Sequence, residues 1–143
     1  MTAEFVVTGV PVGKGRPQFS THNGHIHVRT PQKTVVYENL VRLEYKQQCK
    51  NIRFANNIAL SVEIRAYYSI PASKSKKTKE AMSNGIIRPT KKPDCDNVIK
   101  SILDALNNVA YYDDSQVVDC QVKKFYDERP RVEVKITELE KEI

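Results

Sequence analysis

Residues 58–70 constrain the fold most, because Ile58, Leu60, Val62, Ile64, Ala66 and Tyr68 recur there at every second position. A period of two places all six side chains on one face of a strand. Two other segments carry a helical period. Residues 31–49 space Val36, Leu40 and Leu43 along a helix, with Tyr37, Val41 and Tyr45 beside them. Thr30-Pro31 suits its start, since threonine accepts a backbone N–H bond and proline fits the first helical position. Residues 97–109 gather Val98, Ile99, Ile102, Leu103 and Leu106 on one apolar face.

The remaining segments are shorter. Residues 4–10 predict a first strand, stopped by Pro11, and 11–17, with Gly13, Gly15 and Pro17, must be a loop. Asn23-Gly24 between strand-like arms predicts a hairpin over 19–28. Residues 71–92 show no apolar period and many Ser, Thr and Lys, which predicts a basic flexible loop. Residues 115–126 and 131–139 fit strands joined by a short turn. The expected order is strand, hairpin, helix, strand, loop, helix, strand, strand. It fits one compact α/β domain of the α+β type over residues 1–143, with a mixed β-sheet and two main helices.

Composition excludes several classes. Hydrophobic residues make up 40%, too many for a wholly disordered chain of 143 residues. The longest apolar run, from Val109 to Tyr112, is too short to cross a membrane, and no secretory signal is visible. Cys49, Cys95 and Cys120 form no C-x-x-C pair. That argues against a disulfide framework or structural zinc and for a reducing cytoplasm.

The net charge of +6 is unevenly placed. Residues 72–92 hold seven basic residues and only Glu80, a net of +6, while residues 93–143 hold seven basic and twelve acidic residues, a net of −5. A polyanion met by the basic part, beside carboxylates that hold a metal, would account for such a layout. The candidate carboxylates follow at once, in Lys92-Pro-Asp-Cys-Asp-Asn-Val-Ile-Lys100. Pro93 favours an extended approach, and in an extended segment Asp94 and Asp96 share a side. Asp96 or Asn97 then caps the following helix, with Lys100 one turn beyond Asp96 on the same face. Asp113 and Asp114 come after that helix. Taken singly, each is more often a cap or a solvated turn. Together they suit a hard cation such as Mg²⁺. An EF-hand is excluded, since Val98 and Ile99 stand where that loop needs oxygen ligands.

Lys92-Pro-Asp-Cys-Asp-Asn-x-x-Lys, Leu103-Asp-Ala-Leu-Asn and Tyr112-Asp-Asp-Ser-Gln-Val-Val resemble the RusA family of Holliday junction resolvases. So do Gly9-x-Pro-Val-Gly-Lys-Gly-Arg-Pro-x-Phe19, Arg29-Thr-Pro-x-x-Thr-x-x-Tyr-Glu38 and the closing Pro130-Arg-Val-Glu-Val, in the order of its bacterial and phage members. The resemblance implies metal ligation by Asp94, Asp96 and Asp114, assisted by Asp113, and an essential Lys100. Mg²⁺, with Mn²⁺ as an alternative, would be the cofactor, and a homodimer would resolve four-way DNA junctions by paired symmetric nicks in recombination and repair. A nuclease for flaps or forks and a catalytically idle DNA-binding module are the competing readings. DNA contact is expected from Lys14, Arg16, Lys74, Lys76, Lys77, Lys79, Arg88, Lys91 and Lys92. His22, His25 and His27 read as a solvated hairpin tip, and Tyr37, Tyr45, Tyr67 and Tyr68 as core or interface. Tyr111 and Tyr112, beside the aspartate pair, are candidates for wedging into a junction.

Overall fold

The computed structural model describes residues 1–140; the last three positions of the expected 1–143 domain lie outside the described residues. The alternating segment becomes the inner strand β4 (Leu60–Ser69), whose Leu60, Val62, Ile64, Ala66 and Tyr68 are buried in turn. It is flanked by β6 (Arg131–Glu138), antiparallel, and β5 (Val117–Asp127), parallel, and β1 (Thr2–Thr8) pairs antiparallel with the far side of β6. The order β1-β6-β4-β5 makes a mixed sheet. β5 and β6 are close in sequence and separated in the sheet, because their short turn passes the end of β4.

Helix α1 (Gln32–Cys49) lies against β1, turning Tyr37, Val41 and Tyr45 into the core, where Tyr45 meets Phe5 edge to face at 5.3 Å. Fully burying each such side chain stabilises the fold by about 1.5–3 kcal/mol. Pro31 occupies the N-cap, without a side-chain cap bond, so Thr30 does not cap this helix. Val36 and Leu43 project on the opposite side, 57% and 51% exposed. Gln48, in the last turn, accepts from the Val6 N–H and donates to the Val6 carbonyl, both at 2.8 Å, and so occupies the free edge of β1.

The structure has three α-helices where two main ones were expected. The additional α2 (Lys76–Ser83) forms inside the segment expected to be loop. Ser75 caps it by accepting from the Thr78 N–H, lysine is a good helix former, and Met82 anchors it with a single buried side chain. One anchor leaves too little apolar period to be seen in sequence. Helix α3 (Cys95–Leu106) packs beside α1 and begins two residues before the expected start. A 3₁₀ turn (Asp114–Gln116) leads into β5. The hairpin β2 (Gln18–His22) and β3 (His25–Arg29) turns at Asn23-Gly24, both at positive φ, as expected.

Candidate metal and DNA site

The start of α3 is fixed from two directions. Below it, Tyr68 donates its hydroxyl to the Pro93 carbonyl, and the Lys124 ammonium reaches the Lys91 carbonyl at 2.6 Å while lying 4.9 Å from the Tyr68 ring. Beside it, Ser101 Oγ donates to the Val12 carbonyl at 2.8 Å, and the Lys14 N–H donates to the Asn97 carbonyl at 3.1 Å. This contact leaves no room at Gly13, where a Cβ would stand 2.8 Å from that of Pro93 and 3.0 Å from that of Asn97. Gly15 is equally close to α1: its N–H donates to Thr34 Oγ1 at 2.9 Å, and a Cβ would meet that oxygen at 2.8 Å. The loop over 11–17 therefore splices the beginnings of α1 and α3.

Lys14 sits inside that splice. Its ammonium lies 2.7 Å from Glu38 of α1 and 3.4 Å from Asp104 of α3, and Arg42 adds a contact of 3.6 Å to Glu38. Burial alone would pull the Lys14 pKa down, but the two carboxylates outweigh it and hold it above the ordinary lysine value. The ammonium expected to meet a phosphate is committed to two helices instead.

Asp94 is the N-cap residue of α3, in extended conformation, and makes no cap bond; Asn97 donates to its Oδ1 at 3.4 Å. Neither Asp96 nor Asn97 is the cap. Because the helix starts at Cys95, Asp96 turns with it. Asp96 and Lys100, one turn apart in α3, share a face. Asp113 accepts from the Ser115 N–H at 3.3 Å and from its hydroxyl, capping the 3₁₀ turn, and these bonds hold its pKa below the ordinary value. Gln116 completes the turn from a buried position by accepting from the Tyr112 and Asp113 N–H groups. The Asp114 N–H is held by Asn107 Oδ1 at 2.9 Å, and its carboxylate has no bond or ion pair among the described residues.

Among the described residues no three His, Cys, Asp or Glu side chains converge closely enough to enclose a metal ion. The expected convergence of Asp94, Asp96, Asp113 and Asp114 is not formed, and Asp113 instead caps its own turn. The chemistry of the set still suits a hard cation, since Asp94, Asp96 and Asp114 are oxygen donors without an ion-pair partner among the described residues. Tyr68 and Tyr111 are buried beneath them. Burial, and then the nearby Cys95 and Asp94, push the Tyr68 hydroxyl up; burial, and then Asp114, do so for Tyr111. Tyr111 is fully buried and donates to the Leu103 carbonyl at 2.6 Å, so it cannot wedge into DNA. Tyr112 remains 45% exposed under Arg53, 4.0 Å from its ring.

None of the seven basic residues between 72 and 92 forms an ion pair among the described residues. Arg16, Lys74, Lys76, Lys77 and Lys92 are exposed, and Lys79 is half-buried on α2. Arg88 lies 4.2 Å from the Phe125 ring and donates to the Lys124 carbonyl, and Lys91 lies 5.7 Å from the Tyr126 ring. These contacts tie the basic segment to β5 while leaving its charges unneutralised. Tyr68 and Lys124 escaped the sequence reading as supports of the site. Lys124 carried a signal: it falls between Val122 and Tyr126 at every second position, a cation on the inner face of a strand.

No helix among the described residues is long and apolar enough to cross a membrane. The family described as "Endodeoxyribonuclease RusA" matches residues 8–137. Over 136 residues, 95% of this chain and 96% of the relative, the sequence is 43% identical to "Uncharacterized protein YqaN" of Bacillus subtilis (strain 168). Over 87 residues, 60% of each chain, it is 36% identical to the crossover junction endodeoxyribonuclease rusA of Lactococcus phage r1t.

Proposed function

We propose, from the premise that the chain belongs to the RusA family of endodeoxyribonucleases, that it resolves four-way DNA junctions by two opposed phosphodiester cuts. Family membership makes it a metal-dependent nuclease acting on branched DNA. Mg²⁺ as the ion, the ligand set and a homodimer are the finer parts of the proposal.

The observation that carries it is the placement of three carboxylates without ion pairs around one helix, Asp94 and Asp96 at the start of α3 and Asp114 in the turn beyond its end. Glu4, Glu38, Asp104, Asp127, Glu133 and Glu138 each have a basic partner, whereas Glu44, Glu63, Glu80, Asp113, Asp119 and Glu128 have none among the described residues. Asp94, Asp96 and Asp114 have none among the described residues, although Lys92 and Lys100 are close to Asp94 and Asp96 in sequence. Asp94, Asp96 and Asp114 would hold the ion, with Asp113 supporting the turn that carries Asp114. When bound, a divalent cation there supplies Lewis acidity and a more acidic water. Lys100, exposed on the Asp96 face of α3, would donate to a non-bridging phosphate oxygen as charge grows on it. Arg16, Lys74, Lys76, Lys77, Lys79, Arg88, Lys91 and Lys92 would hold the phosphate backbone without regard to sequence. A four-way junction has two-fold symmetry, so two copies of one site suit two opposed cuts.

The test compares a synthetic four-way junction, a fork, a flap and a linear duplex at fixed salt with Mg²⁺. Preference for the junction with symmetric paired nicks is expected, and Asp94→Asn should bind the junction while cutting it at least about 100-fold more slowly. Equal cutting of flaps would reassign the substrate. Absence of metal-dependent cleavage of every DNA would leave a binding module.

A further inference from the structure

Lys124 is a cation on the core side of the sheet. It falls between Val122 and Tyr126 on the inner face of β5, beside Ala66 of β4, and it is half-buried. No carboxylate pairs with its ammonium among the described residues. Taking a charge out of water costs free energy unless strong partners replace the lost solvation. Here the partners are the Lys91 carbonyl, at 2.6 Å, and the face of the Tyr68 ring, at 4.9 Å. A methionine would fill the same space without that cost, which points to a use for the charge beyond packing.

Residue 124 grips the segment that leads into α3 twice. Its ammonium holds the Lys91 carbonyl, and its own carbonyl accepts from Arg88 Nε at 2.6 Å. The Arg88 guanidinium lies 4.2 Å from the Phe125 ring, on the outer face of β5. Phe125 stacks on Tyr67 at 5.5 Å, and Arg131 of β6 covers Tyr67 at 3.9 Å. On the inner face the Lys91 ammonium lies 5.7 Å from the Tyr126 ring, and Pro89, between the two cations, is buried. Residues 88–91 therefore cross the free edge of β5 as a strap, fastened on both faces of the sheet.

Asp94 stands three residues beyond Lys91. It makes no cap bond and meets Asn97 only at 3.4 Å, so the helix it precedes does little to locate its carboxylate. The carbonyls before it do more: Lys124 holds that of Lys91, and the Tyr68 hydroxyl holds that of Pro93. We propose, given Asp94 as one of the metal ligands proposed above, that Lys124 is a positioning residue for the cleavage reaction. Its ammonium fixes the approach to Asp94 and so sets the place of one metal-binding carboxylate, and the strap keeps that place when the basic segment takes phosphate. A charge-assisted hydrogen bond is about twice as strong as a neutral one. A displacement of about 1 Å at a reacting centre costs about 100-fold in rate, which gives the lysine its leverage.

The test uses the full chain and reads the metal directly. Mn²⁺ binding without DNA, followed by loss of the free-ion electron paramagnetic resonance signal, should weaken at least about tenfold in Lys124→Met. Lys124→Arg, which keeps a charged donor, should recover most of that loss. The Mg²⁺ concentration for half-maximal junction cutting should rise in parallel, while junction affinity in EDTA stays within about twofold, since no phosphate contact is lost. A merely structural role would lower the melting temperature and leave the metal midpoint unmoved. In an Asp94→Asn background Lys124→Met should weaken Mn²⁺ binding no further, because its effect runs through Asp94. Phe125→Leu, which loosens the strap from the outer face, should shift the midpoint in the same direction if Lys124→Met fails to fold. An unchanged midpoint in Lys124→Met, or in Phe125→Leu where the first does not fold, would overturn the proposal. So would additivity with Asp94→Asn, or a fall in junction affinity with the midpoint unmoved. Mn²⁺ binding left intact by Asp94→Asn alone would overturn the ligand reading and this proposal with it, whereas an Asp94 effect without a Lys124 effect overturns this proposal only.

Discussion

Replacing Lys14 with methionine separates two roles that its sequence context makes equally plausible, a phosphate contact and a tie between helices. The Glu38 side chain is only 9% exposed and takes its shortest contact, 2.7 Å, from Lys14; Arg42 at 3.6 Å is its remaining cation. Removing one partner of a fully buried ion pair costs about 3–5 kcal/mol. Lys14 is itself 24% exposed and Arg42 stays, so about 2 kcal/mol is the expected loss here. In a chain of this length that lowers the melting temperature by about 6 °C. Glu38→Gln in the same background should recover at least about 1 kcal/mol, because the stranded charge is then gone. Urea unfolding at neutral pH measures both, with an unchanged slope as the check that only stability moved. The contribution also has a pH limit. The folded-state pKa is raised, so the stabilisation is complete below the free lysine value of 10.5 and is lost as pH rises through the higher folded value. Junction affinity supplies the opposing measurement: the slope of log affinity against log salt should not change, whereas removing a true phosphate contact lowers it by about 0.9. A variant as stable as wild type with a slope smaller by that amount would refute the reasoning.

Other consequences are equally direct. Gly13→Ala forces its Cβ against Pro93 and Asn97 and should cost about 1–3 kcal/mol by thermal unfolding, with a larger loss of cleavage than of junction affinity. Tyr68→Phe leaves the Pro93 carbonyl without its hydroxyl partner, a change of about 1 kcal/mol. It should raise the Mg²⁺ concentration for half-maximal cleavage by a factor of about five if that energy goes into positioning Asp94. Asp127 accepts from the Arg129 N–H and pairs with Arg131, which holds its pKa below the ordinary 3.8. Its contribution is present above that value and lost as pH falls through the lower folded value, so Asp127→Asn should flatten the acid limb of a stability profile, read as urea midpoint against pH.

Much of the fold could be read from periodicity. The alternation through β4, the helical spacing of α1 and the Asn-Gly turn each report a local cause, and each element formed where its pattern lay. Helix α2 was hidden because it is only eight residues long and its apolar side is Ala81 and the buried Met82 among Lys, Thr and Ser. The order of β5 and β6 was hidden because a short turn suggests adjacent partners, while β4 pairs with both. At the candidate site, residue types were legible and directions were not. Asp96 was taken into the helix when α3 began at Cys95, while Asp94 stayed extended as its N-cap. Asp113 took the local option open to any aspartate before serine and capped its own turn. Lys14 reads as a phosphate contact in a loop, but its partners Glu38 and Asp104 lie far along the chain, where spacing carries no signal.

The amide of Gln48 sits beside β1 as the next strand would, matching a donor and an acceptor of Val6 with one side chain. Growth of the sheet on that side therefore ends by chemistry, since an unoccupied rung invites any passing segment to polymerise. While α1 has yet to dock, the same rung is bare, so refolding chains should aggregate mostly in that interval and folded ones should not. A backbone ladder accepts strangers almost indiscriminately. With this rung filled, a strand added along β1 would find neither partner group of Val6 free, which makes this edge a poor template.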